Sequence, residues 1–194
     1  MDQVHQRLAS AIRFQDPLER QMAIASVICS ELANYGTRTV VVGGSAVEFY
    51  TMANYLTMDI DLIATTPEYI KQVMLSLGFK SSGGTWYLPE HPKVIVEFPP
   101  GPLAGSWERV QPVTMPDGTV VNVIGLEDII IDRALAATYW TDSPEWVRFL
   151  MVAHYHDIDW GYLLLRANEE LCSETIEKCR VWALEQLKEL ESTE

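Results

Sequence analysis

The segment between residues 39 and 64 constrains the fold of this chain more than any other stretch. It begins with an uncharged β-branched run, Thr39 to Val42, which is typical of a buried strand. Gly43-Gly44-Ser45 ends that run, and Ala46 to Tyr50 has the pattern of a short helix. A second apolar run, Met58 to Ala64, predicts another strand. Strands that alternate with helices in this way indicate a domain of mixed α and β structure.

The same pattern of alternating elements continues up to residue 124 and then changes. A helix over residues 16–34 with Asp16 as its N-cap, a helix opened by Pro67, strands within residues 79–98 and a hairpin at Pro116-Asp117-Gly118 are predicted. From Leu126 onward, four successive segments have helical periodicity. We therefore predict an α+β fold. It has a small mixed β-sheet with flanking helices in residues 1–124 and a C-terminal helical region in residues 125–194.

An excess of acidic residues limits the partners of the protein. The chain has 27 Asp and Glu but only 14 Lys and Arg, which gives a net charge of -13. This charge disfavours unaided binding of long nucleic acids, but it permits a nucleotide held through metal ions. Three cysteines without paired spacing, no signal-peptide pattern and no apolar run of membrane-spanning length predict a cytoplasmic protein with no membrane contact.

Carboxylates interrupt two of the predicted strands. Asp59 and Asp61 are two residues apart, so they lie on one face of their strand. Glu97 lies within the apolar run Val94 to Phe98, where an unpaired charge is costly. If the two strands are neighbours, the three carboxylates meet and provide the oxygen ligands that Mg²⁺ prefers. The alternatives are an exposed polar strand face for the aspartates and an ion pair of Glu97 with Lys93 or Arg109.

The glycine turn before the helix is a candidate phosphate site. A strand that turns into a helix through Gly43-Gly44-Ser45 presents backbone N–H groups and a hydroxyl at a helix N-terminus, which attracts anions. The turn lacks the Lys-Ser/Thr of a Walker A loop and the third glycine of a dinucleotide fingerprint. A tight strand-to-helix turn without a ligand is the alternative interpretation.

Together these features resemble a known superfamily. Gly44-Ser45, a helix, Asp59-Ile60-Asp61 on the next strand and Glu97 on a later strand are similar to the polymerase-beta-like nucleotidyltransferases. The small bacterial members are the most similar: minimal nucleotidyltransferases, abortive-infection type toxins and aminoglycoside nucleotidyltransferases. The string GGSAVEFYTMANYLTMDIDL carries the resemblance. The third acid is Glu rather than Asp, which is a departure from the superfamily pattern.

The resemblance implies an enzyme that transfers a nucleoside monophosphate from a nucleoside triphosphate to a hydroxyl acceptor. Asp59 and Asp61 would bind two Mg²⁺ ions, and Glu97 would hold the catalytic ion and help to deprotonate the acceptor. Gly43, Gly44 and Ser45 would bind the phosphates. Arg133 would approach the nucleotide, or else form a surface ion pair. The acceptor is unidentified, and the acidic surface favours a small molecule or a protein over RNA.

Two other functions stay open at this point. The chain is either an active transferase or a catalytically silent relative that acts as a binding or antitoxin-like partner of another protein. A homodimer is predicted as a further possible assembly. A third hypothesis is a metallohydrolase built on the polar segment His154 to Asp159, since histidine and aspartate bind metals. The same segment also fits a helix end followed by a new helix with Asp157 as its N-cap.

Overall fold

A computed structural model describes residues 3–52, 57–140 and 142–192 of the chain. Residues 53–56, which belong to the string that carries the resemblance, therefore lie outside the described part. The chain divides into two compact units, Met1–Ile124 and Gly125–Glu194. The first unit contains every described strand together with four α-helices, and the second is helical.

The first unit is built on a seven-stranded mixed sheet with the order β3-β4-β5-β2-β1-β7-β6. Its strands are β1 (Thr39–Val41), β2 (Asp59–Ala64), β3 (Lys80–Ser82), β4 (Thr85–Leu88), β5 (His91–Glu97), β6 (Gln111–Thr114) and β7 (Val120–Val123). β2 pairs with β5 and β1 pairs with β7 in parallel, whereas the other neighbours are antiparallel. This arrangement confirms the predicted mixed sheet.

The helices of the first unit supply the apolar cover of the sheet. They are α1 (Gln3–Ala11), α2 (Pro17–Ala33), α3 (Gly43–Tyr50) and α4 (Ile70–Ser76), with a short 3₁₀ helix at Pro67–Tyr69 before α4. Asp16 caps α2 as predicted, because its carboxylate accepts a hydrogen bond from the Glu19 N–H. Ile28 and Leu32 of α2 are fully buried, as are Val40 of β1 and Leu62 of β2. The core of this unit therefore lies between its helices and the central strands.

One boundary in this unit differs from the prediction. Helix α3 begins at Gly43 rather than at Ala46, with Val42 as its N-cap residue. The two glycines are therefore not a loop between strand and helix, because they form the first turn of the helix itself. Glycine has a low intrinsic helix propensity, which is why the sequence pattern predicts a helix start three residues later.

The second unit consists of four helices, α5 (Leu126–Tyr139), α6 (Glu145–His154), α7 (Trp160–Glu169) and α8 (Ser173–Glu191). Two acids in the first turn of α5 are buried, and both bind the start of α7. Glu127 accepts the N–H of Asp159 at 2.8 Å, and Asp128 accepts the hydroxyl of Tyr162 at 2.8 Å. These contacts fix α5 to α7 within the helical unit. None of the helices in the described part of the chain is both long and apolar enough to span a bilayer.

Candidate active site

The three acidic residues singled out in the sequence lie together in the middle of the sheet. β2 and β5 are parallel neighbours, and the register sets Asp61 directly beside Glu97. Asp59 is two residues before Asp61 on the same face of β2. One carboxylate oxygen of each residue lies within 4.8 Å of those of the other two. Strand pairing therefore brings the three groups into one cluster, which we call the carboxylate cluster.

Burial follows the alternation of the strand. Ile60 and Leu62 of β2 are buried, whereas Asp59 and Asp61 are only half-buried. The carboxylate cluster is therefore reachable from solvent, while the opposite face of the strand belongs to the core. Glu97 is also half-buried, and its Oε1 atom accepts a hydrogen bond of 2.8 Å from the hydroxyl of Thr85 on β4. The neighbouring strand thus orients the third acid.

The chemistry of this donor set fits a hard divalent cation. Three carboxylates at this spacing repel one another unless protons or a cation compensate the charge. Oxygen ligands from carboxylates are the set that Mg²⁺ uses in phosphate-transferring sites. Among the described residues, this is the group of acidic, histidine or cysteine side chains whose potential ligand atoms converge. The residues present could therefore hold a divalent metal ion.

The glycine turn lies directly against the carboxylate cluster. Gly43 has a φ of +56°, and a Cβ at this position would overlap the Asp61 carboxylate, whose Cγ atom would be only 2.9 Å away. The N–H of Gly44 donates a hydrogen bond of 3.1 Å to Oδ2 of Asp61. The first turn of α3, with N–H groups that lack intrahelical acceptors, therefore begins beside the acids. Glycine is needed here both for the backbone conformation and for the close approach.

Ser45 has a different environment from the one expected for a phosphate ligand. Its side chain is buried, and its hydroxyl donates a hydrogen bond of 2.8 Å to the main-chain oxygen of Asp59. The N–H of Asp61 also lies 3.4 Å from the same hydroxyl oxygen. The Ser45 side chain thus fastens α3 to β2 in this structure. A phosphate contact of this residue would have to use its backbone N–H group.

Three residues near the carboxylate cluster could not be assigned to it from the sequence. Thr57 donates a hydrogen bond of 2.6 Å from its hydroxyl to Oδ1 of Asp59. Glu48 of α3 accepts the N–H of Thr57, and the side-chain amide of Gln21 of α2 donates to the main-chain oxygen of Thr57. Glu48 had a detectable signal, since it is the lone charge in the apolar run Ala46 to Tyr50. Gln21 and Thr57 had none, because polar residues of their kind are common on helix surfaces and in loops.

A cavity of about 630 Å³ adjoins this part of the first unit. Thr57, Met58 and Ile60 line one side of it, and the stretch from Glu90 to Ile95 lines another. None of the three clustered carboxylates lines the cavity. Thr57 nevertheless connects the two features, because it lines the cavity and bonds to Asp59.

Arg133 belongs to the helical unit. It lies on α5, and its guanidinium forms an ion pair with the carboxylate of Asp132. The structure thus gives this residue a local partner on its own helix. An approach of Arg133 to a bound nucleotide stays a prediction.

The polar segment from His154 to Asp159 does not form a cluster of converging ligands in this structure. His154 lies at the end of α6, with its Nδ1 atom 3.6 Å from the exposed carboxylate of Asp157. Asp159, and not Asp157, is the N-cap of α7, because its Oδ1 atom accepts the Tyr162 N–H at 3.1 Å. The helix predicted to follow an Asp157 cap therefore begins later, at Trp160. The segment serves as a helix end, a connection and a cap.

The fold is that of the nucleotidyltransferases. A crystal structure of an antigenic nucleotidyltransferase-like protein from Paracoccidioides brasiliensis is similar, with a TM-score of 0.60 and 17% identity. The similarity covers 92% of each chain. The solution structure of the antibiotic-resistance factor ANT(2'')-Ia is similar with a TM-score of 0.50 and 14% identity, over 92% of this chain and 98% of that one. At these identities the likeness shows the shared fold alone.

The family follows from the sequence itself. Residues 21–192 match the family described as "Nucleotidyltransferase of unknown function (DUF6036)", so the chain belongs to this family. The predicted membership of the nucleotidyltransferase superfamily is thereby confirmed. No curated protein matches the chain.

Proposed function

We propose that this protein is a metal-dependent nucleotidyltransferase that moves a nucleoside monophosphate from a nucleoside triphosphate to a hydroxyl acceptor. The observation that carries the proposal is the carboxylate cluster of Asp59, Asp61 and Glu97, within 4.8 Å of one another and beside the N-terminus of α3. Membership of a nucleotidyltransferase family supports it. In the reaction, the acceptor oxygen forms a bond to the α-phosphorus, the bond from that phosphorus to the bridging oxygen breaks, and pyrophosphate leaves.

The three carboxylates would hold two Mg²⁺ ions. When bound, such ions neutralise phosphate charge and stabilise the entering and leaving oxygens of a phosphoryl transfer. Their positive charge also explains how a chain with a net charge of -13 could accept a triphosphate. Asp59 and Asp61 are fixed by the backbone of β2, so both are held in place before the nucleotide arrives.

The protein's own groups would orient the nucleotide and receive the proton. The N–H groups of Gly43 and Ser45 at the start of α3 would donate to phosphate oxygens, and that of Gly44 would do so in place of its hydrogen bond to Asp61. Glu97 would accept the proton of the acceptor hydroxyl as the new bond forms. The hydrogen bond from Thr85 keeps the Glu97 carboxylate oriented for this role. Arg133 is proposed as a further contact to the nucleotide.

The acceptor is proposed to be a small hydroxylated molecule or a protein side chain. The acidic charge of the chain disfavours nucleic acid. The cavity of about 630 Å³ beside Thr57 is of a size that small-molecule sites commonly have. A cytoplasmic location and a homodimer or antitoxin-like partner stay predictions from the sequence.

Calorimetry with each of the four ribonucleoside triphosphates in the presence of Mg²⁺ tests the proposal. We expect binding of at least one triphosphate by the wild type and none by the double variant Asp59→Asn/Asp61→Asn. An absence of binding for all four would contradict the proposal. The same absence would support a catalytically silent protein that acts through a partner.

A transfer assay then identifies the reaction and the size of the acceptor. Cell extract is incubated with the protein and with a triphosphate labelled either on the α-phosphate or on the γ-phosphate. Relative to extract alone, nucleotidyl transfer requires that the added protein increases attachment of the α-label and not of the γ-label. An increase in attached γ-label would instead indicate a kinase-type phosphoryl transfer and would overturn the proposed reaction.

A further inference from the structure

Helix α3 contains a carboxylate in an environment that normally excludes charge. The side chain of Glu48 has 0% of its surface exposed, and the neighbouring Val47 is equally buried. Within the described part of the chain, its Oε1 atom has no hydrogen-bond partner. Burial raises the pKa of Glu48, although hydrogen bonds from Thr57 and Gln21 partly oppose that change. A buried acid destabilises a fold unless its contacts offset the cost of burial.

The other oxygen of Glu48 holds the residue that precedes the active-site strand. Oε2 accepts the N–H of Thr57 at 3.1 Å and the side-chain amide of Gln21 at 3.0 Å. The same Gln21 amide donates to the main-chain oxygen of Thr57 at 3.0 Å. Both backbone polar groups of Thr57 are therefore bound by this pair of side chains.

Thr57 connects these bonds to the carboxylate cluster. Its hydroxyl donates to Oδ1 of Asp59 at 2.6 Å, which fixes the rotation of that carboxylate. On the other side of the network, Oε1 of Gln21 lies 3.3 Å from the Ser45 hydroxyl, which binds the main-chain oxygen of Asp59. Asp59 is thus held at its side chain and at its backbone by residues that both connect to Gln21.

We propose that Glu48 is a positioning residue for the carboxylate cluster, which acts through Thr57 to orient Asp59 for metal binding. The inference rests on the proposed function, because it assumes that the cluster binds a divalent cation. Groups that hold metal-ligating carboxylates typically change metal affinity by about 10- to 100-fold when they are removed. Glu48 touches no clustered carboxylate itself, so its effect depends on the chain of bonds through Thr57.

Titration with Mn²⁺, followed by electron paramagnetic resonance of the free ion, tests this role. Glu48→Met keeps the side-chain volume but removes the acceptor, and we expect it to weaken Mn²⁺ binding about 10-fold. Thr57→Val, which removes the hydroxyl, should weaken binding to a similar extent. The double variant should lose no more Mn²⁺ affinity than the single variant with the larger loss, because both changes break the same connection. Glu48→Gln keeps an acceptor oxygen and should stay within about twofold of the wild type.

A role in folding alone predicts a different result. Ser26→Ala is the control, because it removes a buried hydrogen bond of 2.7 Å to the main-chain oxygen of Ala23 on α2 and takes no part in the bonds between Glu48, Thr57 and Asp59. It should lower the melting temperature and leave Mn²⁺ affinity unchanged. If Glu48→Met does not fold, Glu48→Asp serves in its place, since the shorter side chain withdraws the carboxylate from Thr57.

The possible results separate the two proposals. Unchanged affinity in a folded Glu48→Met or Glu48→Asp protein would overturn the positioning role alone, provided that Asp59→Asn abolishes binding. Additive losses in the double variant would also overturn it. A wild type that binds no Mn²⁺ would overturn the proposed function and the positioning role together.

Discussion

Two segments of this chain are rich in metal-binding side chains, and the structure uses them in opposite ways. In the first, Asp59 and Asp61 lie on the central strand of the sheet and meet Glu97 of the neighbouring strand within 4.8 Å. In the second, the residues from His154 to Asp159 occupy a helix end, a connection and a helix cap. The same types of side chain thus converge in one place and are spread along the backbone in the other.

The difference comes from the geometry of the supporting elements. Strand residues two apart face the same way, and a parallel neighbour in register adds its own residue at the same level. The backbone thereby aims several side chains at one point. At a helix terminus, a carboxylate such as that of Asp159 is instead used to satisfy free N–H groups. Proximity in the sequence is therefore a weaker indicator of a metal site than strand spacing.

The largest expected effect is the contrast between two Asp→Asn substitutions, one in each segment. Asp61→Asn should lower Mn²⁺ affinity by more than about 100-fold, because it removes a proposed ligand rather than an outer partner. Asp157→Asn should leave affinity unchanged, since this carboxylate is exposed and lies 3.6 Å from His154 Nδ1 outside the carboxylate cluster. Titrating both variants and the wild type with Mn²⁺ measures the contrast. Equal losses would show that the comparison between the two segments is wrong.

A smaller effect is expected when the turn beside the cluster is changed. Gly43→Ala introduces a methyl group that overlaps the Asp61 carboxylate, so Mn²⁺ affinity should fall about 10-fold, as for other changes that misplace a ligand. Gly36→Ala is the matched control, since Gly36 also has a positive φ, of +71°, but a Cβ there would meet nothing within 4 Å. Each substitution should cost about 1–2 kcal/mol of stability for its backbone conformation.

Chemical denaturation and Mn²⁺ titration of these two glycine variants separate strain from function. Both proteins should lose stability, and only Gly43→Ala should also lose metal affinity. If Gly36→Ala weakened Mn²⁺ binding equally, the close approach of the turn to Asp61 would not be what matters.

The helical segment should respond to substitution in stability rather than in binding. Asp159→Ala removes the side-chain cap of α7 and should lower the free energy of unfolding by about 1 kcal/mol. Urea denaturation measures this loss. Asp157→Ala, by contrast, should have a smaller effect, because Asp157 does not cap the helix. A loss of Mn²⁺ affinity in Asp159→Ala would support the hypothesis of a metal site in this segment.

Much of the sheet and its acidic residues could be predicted because the signals are local. The β-branched run at Thr39, the alternation around Asp59 and the charge at Glu97 each depend on a few neighbouring residues. The start of α3 at Gly43 could not be predicted, since glycine disfavours helices and its presence is explained by the positive φ and the close approach to Asp61. The choice of Asp159 over Asp157 as a cap likewise depends on which carboxylate reaches the Tyr162 N–H.

The network around Asp59 was beyond the reach of sequence reasoning for a different reason. Gln21 lies on another helix and contacts Thr57 and Glu48 only after the sheet and its helices have assembled. A single sequence contains no signal for such long-range hydrogen bonds. The same argument applies to Ser45, whose buried hydroxyl is used to fasten α3 to β2.

The smallest expected effect concerns pH and the buried acid Glu48, which is linked to Asp59 of the first segment through Thr57. Burial raises the folded-state pKa of Glu48 above its ordinary value of 4.5. Hydrogen bonds from Thr57 and Gln21 and the charge of Arg20 oppose the shift, while the charge of Asp16 adds to it. Between the two pKa values, the folded state keeps a proton that the unfolded state has released. Stability must therefore fall as the pH rises through this interval.

Glu48→Gln removes the titrating group, so a comparison with the wild type shows whether this group makes stability rise or fall with pH. Relative to the variant, the wild type should become steadily less stable as the pH rises from about 4.5, until the folded-state pKa is passed and the difference becomes constant. Urea denaturation of both proteins across this range, in the presence of a chelator, measures the difference. If the wild type instead gained stability relative to Glu48→Gln with rising pH, Glu48 would be charged and stabilised in the folded protein. The balance between burial and hydrogen bonding at this position would then be the reverse of the one inferred here.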